Sequence, residues 1–260
     1  MNWSLVELGI DFSILGPALI VGLLVTLTHV PLGQRVLQRG IIFLDLAIAQ
    51  VAGLGIIAAH SFHFEPGSWQ VQLIAFCSAI IGVLLLNFSE QRWPKIQEAL
   101  IGSLFVLASS ASILLLASNP TGGEQLKELL VGQILWVSYE QIIPVSILYA
   151  AILVIWFKFS QRSSSLYFYL LFALTITASV QLVGIYLVFA SLILPALAIR
   201  NTKKFTLAYG YLIGVTGYVL GLIFAAVMDL PAGAMIVHSM AISALVIGFL
   251  LKIRVSEFND

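Results

Sequence analysis

The sequence predicts an all-α protein, a polytopic transmembrane helical bundle of about eight or nine spans built as one domain over residues 1–260. Three observations predict it. The chain is 60% hydrophobic and only 9% charged, against a charged share of about a quarter in soluble domains. Its mean hydropathy is +1.06, more apolar surface than a soluble fold of this length can hide. Eleven of its twelve Lys and Arg residues fall in five clusters separated by long apolar stretches.

The clusters set the topology. They are Arg35 and Arg39; Arg92 and Lys95; Lys158 and Arg162; Arg200, Lys203 and Lys204; and Lys252 and Arg254, with only Lys127 outside them. Cytoplasmic loops hold Lys and Arg in excess, so each cluster marks a return of the chain to the cytoplasm. The N-terminus is then outside, the C-terminus cytoplasmic, and the protein multi-pass in the cell (inner, cytoplasmic) membrane.

About 20 apolar residues cross the hydrocarbon core. The spans read Phe12 to Val30, Ile41 to His60, Trp69 to Phe88, Leu100 to Ser118 and Ile142 to Phe157. Tyr167 to Ile199 lies between basic clusters and must cross an even number of times, so a tight hairpin of two short spans breaking near Ala178 to Gly184 is expected. Phe205 to Met228 and Ala232 to Leu251 complete nine crossings, or eight if the first or the hairpin region does not fully cross. Between the fourth and fifth spans, Glu124, Lys127 and Glu128 alternate with Leu126, Leu129 and Leu130. That pattern fits a short amphipathic helix at the outer surface, its leucines turned to lipid or bundle.

Several function classes drop out. Zero formal net charge argues against a nucleic-acid partner, which calls for a basic face. Cys77 is the only cysteine, so an intrachain disulfide and a CxxC metal site are both impossible. Met1 to Asp11 carries Glu7 and Asp11 and no basic residue, unlike a cleavable signal peptide. No GxxxxGK[ST] loop, HExxH or GxSxG occurs, so the chain is expected to be no enzyme, and energy from nucleotide must come from a partner.

Polar groups within the spans are the candidate site residues. Asp45 lies one turn into the second span, where an ionisable side chain costs about 2.5–3.5 kcal/mol at the bilayer centre. It is either a path residue, the metal candidate of the chain, or an interfacial carboxylate paired with Arg39 or a neighbouring helix end. Gln50 follows five residues later, about 140° around the helix, so the two share no face. Small residues crowd this span, which places it inside a bundle. His238 in the last span is a path candidate or a helix-to-helix hydrogen-bonding group. His29 reads as structural. His60, His63 and Glu65 cluster at the outer mouth, where imidazole and carboxylate suit zinc or manganese, or stand simply as loop residues.

Four strings, in order, resemble the permeases of metal-uptake ABC importers: LGQRVLQRGIIFLDLAIAQVAGLG (Leu32 to Gly55), ELLVGQIL (Glu128 to Leu135), VQLVGIYLVFASLILPALAIR (Val180 to Arg200) and MDLPAGAMIV (Met228 to Val237). The resemblance implies import of zinc, manganese or ferrous iron by alternating access at a homodimer interface, without a tightly bound cofactor. The implied partners are a second copy of the chain, cytoplasmic ABC ATPase subunits and an extracytoplasmic solute-binding protein. It also places an ATPase-coupling loop at Arg200, Asn201, Lys203 and Lys204. Typical members carry Asp-x-x-x-His in the second helix. Here Ala49 follows Asp45 at that spacing, while the register set by the downstream glycine pairs Leu46 with Gln50. Asp45 and Gln50 are carried over as site candidates. The rival readings are a proton-coupled secondary transporter using Asp45 and His238, and an ABC permease for a non-metal substrate.

Overall fold

The computed structural model describes residues 11–62, 64–65, 68–117, 119, 122–159, 165–202 and 204–257. These form ten α-helices: α1 (Phe12–Arg39), α2 (Leu44–Ser61), α3 (Trp69–Arg92), α4 (Gln97–Leu116), α5 (Gly122–Val131), α6 (Tyr139–Phe159), α7 (Ser165–Val183), α8 (Ile185–Ile199), α9 (Thr206–Met228) and α10 (Ala232–Glu257). Among the described residues, eight helices are long and apolar enough to cross a membrane. The ninth expected crossing is α8, apolar but only 15 residues long, or about 22 Å at 1.5 Å per residue.

α7 and α2 are the central helices: 72% and 67% of their most apolar stretches are buried, against 22% in α4 and α6. α2 packs on α3 and α4, α1 on α8 and α9, and α10 on α9 and α8, with α7 joining the two groups through α3 and α2. The end of α1 at Arg39 meets Glu90 near the end of α3 and Ser165 at the start of α7; this side of the bundle is referred to below as the inner side.

The first span runs nine residues further than the sequence suggests, to Arg39, straight through Pro31. Proline removes the N–H that would bond the carbonyl four residues back; the freed Leu27 carbonyl accepts the Tyr211 hydroxyl at 3.5 Å. The helix stops instead at Gly40, whose φ is 69°. Gly40 N–H donates to Leu37 O and Ile41 N–H to Val36 O, the paired bonds of a Schellman close, and Ile41 and Val36 are both buried in the core.

The expected break after Ala178 falls at Gly184. α7 is a full-length span rather than a short one, and α8 is the short member. Gly184 has φ 80° and Gly132, at the end of α5, has φ 75°, both in the left-handed region open to glycine. The two backbones also meet. A Cβ on Gly132 would stand 2.2 Å from the Val183 carbonyl carbon, and one on Gly184 2.3 Å from Gly132 N. This contact pins α5 to the outer end of α7.

At the inner side, polar side chains tie α1, α3, α4 and α7 together. Gln97 accepts from Ser89 Oγ at 2.9 Å and donates to Leu86 O at 3.0 Å and to the Tyr169 hydroxyl at 3.4 Å. The Arg39 guanidinium lies 4.4 Å over the Phe168 ring and donates to Ser165 Oγ at 2.9 Å. The Ser165 hydroxyl in turn bonds the Glu90 carboxylate, which is 4.0 Å from Arg39. Arg39 is thus committed to Glu90 and Ser165 and is not the partner of Asp45.

Candidate functional site

Helical geometry gives α2 two polar faces. Leu46, Gln50, Gly53, Ile57 and His60 lie within about 80° of one another, while Asp45 is about 140° from Gln50. The first face looks toward α5: a Cβ on Gly53 would make ordinary contact with Leu129 Cδ1 at 3.7 Å. The amphipathic helix expected at the outer surface is α5, and its half-buried Leu129 and Leu130 pack on the bundle.

Above that face opens a cavity of about 760 Å3 on the outer side, walled by the outer ends of α2, α3, α6 and α7 and roofed by α5 and the 3-10 turn Ile134–Trp136. His60 and the carboxylates Glu128 and Glu140 line it, together with five carboxamides, Gln72, Gln125, Gln133, Gln141 and Gln181. No Lys or Arg is among the lining residues described. Two carboxylates without a cation in a partly apolar cleft concentrate negative potential and raise the local concentration of cations. Neutral carboxamides offer carbonyl oxygens that can replace water around an ion or hydrogen-bond an organic ligand.

Gln50 is buried on the vestibule face, roughly 10 Å deeper than Ile57. His60 lines the cavity, and its Nε2 is buried without a hydrogen-bond partner. Asp45 lies elsewhere, in the first turn of α2, 1% exposed, and neither carboxylate oxygen has a hydrogen-bond partner. At that position a carboxylate is favoured by the positive end of the helix dipole. His238 is exposed on α10, away from the vestibule, and its Nδ1–H donates to Ala234 O at 2.8 Å. Glu65 is exposed and does not line the cavity; His63 lies outside the described residues. Among the described residues no group of three or more His, Cys, Asp and Glu stands ready to hold a metal ion.

Sequence reasoning missed Glu140 and the five lining glutamines. Gln72, Glu140, Gln141 and Gln181 sit near the ends of apolar helices, where a polar residue reads as an ordinary helix end, while Gln125 lies on the amphipathic α5 and Gln133 in the connection after it; only the packing shows that they face one space. The inner turn between α8 and α9 exposes Arg200, Asn201 and Lys204, with Lys203 outside the described residues. It also exposes Phe205 at 76% with φ 55°, a backbone conformation rare for a bulky residue.

Residues 11–163 and 158–252 match the sequence pattern of the ABC 3 transport family. The manganese transport system membrane protein MntC of Halalkalibacterium halodurans is 25% identical over 252 residues, covering 88% of this chain and 84% of MntC. Among solved structures, PsaBC from Streptococcus pneumoniae in complex with Fab superposes with a TM-score of 0.73 at 22% identity, over 91% of both chains. An inward-facing metal-chelate type ABC transporter superposes with a TM-score of 0.68 at 16% identity, over 90% of this chain and 85% of that one. At these identities the two superpositions speak for the fold.

Proposed function

This chain is a member of the ABC 3 transport family, an integral multi-pass protein of the cell membrane, and on that premise we propose that it is the permease subunit of an ABC importer for a divalent transition metal, manganese or zinc. In this reading the chain works as a homodimer. An extracytoplasmic solute-binding protein delivers the ion to the vestibule, and ATP binding and hydrolysis on cytoplasmic ATPase subunits switch access from outer to inner side. The ATPase seats on the inner turn from Arg200 to Phe205, where charged side chains and an exposed aromatic ring stand together on a strained backbone.

The observation that carries the proposal is the acidic, cation-free lining of the outer vestibule above the Gln50 face of α2. In the register set by the downstream glycine, Gln50 takes the place that the family resemblance gives to the histidine of the second-helix pair. Its carbonyl is a harder donor than imidazole, and carboxylate, carbonyl and water ligands suit manganese where imidazole suits zinc. Manganese is therefore the favoured cargo of the two. Asp45, facing away from this path, serves the N-terminus of α2.

Uptake of manganese, zinc and ferrous iron in cells lacking the protein, restored with wild type or variants, tests this. Wild type restores manganese entry; Gln50→Ala lowers it about tenfold or more; Gln50→His moves preference toward zinc; Asp45→Ala, once shown to be inserted, keeps the same ion choice. Normal entry of all three ions in the deleted cells would remove the metal assignment. The five carboxamides of the lining favour one second reading, a metal held in an organic chelate, which predicts uptake of the chelate and not of the free ion. Uptake that persists without the ATPase and follows the proton gradient would instead mark a secondary transporter.

A further inference from the structure

We propose that the groove between the inner ends of α8 and α10 binds an anionic phospholipid of the inner leaflet. The groove, about 590 Å3, is within the range of about 300–1,000 Å3 typical of ligand clefts. Leu194 and Leu197 of α8 and Leu245 and Phe249 of α10 line its apolar walls, and Gly248 lies where α10 meets Ala198. At the inner rim stands Arg200, with Asn201 beside it. No carboxylate is among the lining residues described. Apolar walls deep in the membrane with a cation at the water's edge match a ligand with acyl chains and an anionic head.

Arg200 has donors to give. One Nη1–H bonds the Leu197 carbonyl at 3.1 Å on an exposed surface, and a guanidinium carries five N–H donors in a fork that fits a phosphodiester. Basic residues at the membrane surface attract anionic lipid by about 1 kcal/mol each. A second copy of the chain suits the groove poorly. A two-fold axis running through this groove would set Arg200 of each copy against the other. Glu90 and Glu98, acidic residues of that side, are already bonded, to Ser165 and to Phe43 N–H respectively. Lys204 and Phe205 do not line the groove, whereas Arg200 and Asn201 belong both to the groove and to the turn proposed to seat the ATPase, so the lipid is tested on the permease without its ATPase.

The test uses the full chain in detergent, titrated with phosphatidylglycerol or phosphatidylcholine of equal chain length and read by native mass spectrometry. Phosphatidylglycerol is expected to be retained and phosphatidylcholine not. Arg200→Gln should weaken retention about fivefold, and Gly248→Leu, which fills the groove, should abolish it. A Cβ at Gly248 meets Ala198 Cβ at 3.5 Å, an ordinary contact, and Arg200 is exposed, so both variants should melt like wild type. Leu245→Cys in a Cys77→Ser background should stay monomeric under oxidant. Equal retention of both lipids, or retention unchanged in both variants, overturns the proposal. A Leu245→Cys disulfide dimer formed in high yield overturns it as well, because a second copy would then cover the groove.

Discussion

Asp11 illustrates how one side chain sets the start of the bundle. Its Oδ1 accepts Ser13 Oγ at 2.7 Å and Ser13 N–H at 2.8 Å, capping α1 as a short acceptor does best. The Ser13 hydroxyl first, and then the Ser13 N–H, hold its carboxyl below the ordinary value of 3.8. A depressed carboxyl favours the folded turn above its unfolded pKa, and that contribution disappears as pH falls through the folded value. Amide exchange at Ile14 and Leu15, corrected for its intrinsic pH dependence, should therefore quicken as the solution is acidified below pH 3.8. Asp11→Asn, which keeps an acceptor but cannot titrate, should flatten the response; an unchanged profile in that variant would assign the effect to another group. At this scale the sequence was informative about angle and silent about neighbours. Helical periodicity alone separates Asp45 from Gln50. Which of the two faces the vestibule depends on Leu129, 76 residues further along the chain than Gly53, resting against that glycine.

Helices were legible where charge and glycine punctuate the apolar runs. The break at Gly184 falls within the expected window because a left-handed residue is needed there, whereas the end of α1 was displaced because a tyrosine of α9 serves the carbonyl that Pro31 leaves open. The turn from α8 to α9 carries a further consequence. Phe205 spends about 1–2 kcal/mol on its left-handed backbone while exposing its ring, an arrangement that burial in this chain alone does not compensate. Phe205→Gly removes the steric cost and adds the smaller cost of glycine's unfolded-state entropy, so the isolated permease should melt at a higher temperature, by up to about 1 kcal/mol of stability. With the ring gone, transport-coupled ATP hydrolysis in the assembled complex should fall severalfold. A variant that is stabilised and fully coupled would show that the ring contacts no ATPase; one that is destabilised would show that the strain is not at Phe205.

For the whole molecule, the alternation of basic clusters and apolar stretches was enough to establish a multi-pass bundle, and the resemblance to metal-uptake importer permeases agrees with membership of the ABC 3 transport family and with the relative MntC. The vestibule was not legible, since its polar lining is contributed by five helices and a turn, and no short stretch of sequence holds more than a few of its members. Its field gives a measurement that separates attraction from ligation. If Glu128 and Glu140 act at a distance, the double variant Glu128→Gln, Glu140→Gln should slow initial manganese uptake about tenfold at low ionic strength and leave the maximal rate unchanged. The difference should shrink as salt rises, because the screening length falls from about 10 Å at 0.1 M to about 3 Å at 1 M. Were the carboxylates ligands to the ion, the variant would lose maximal rate at every salt concentration, since a first coordination sphere is not screened by bulk ions. The ratio of variant to wild-type rates, followed from low to high salt, therefore tells whether the outer mouth gathers cations for a deeper site or holds them itself.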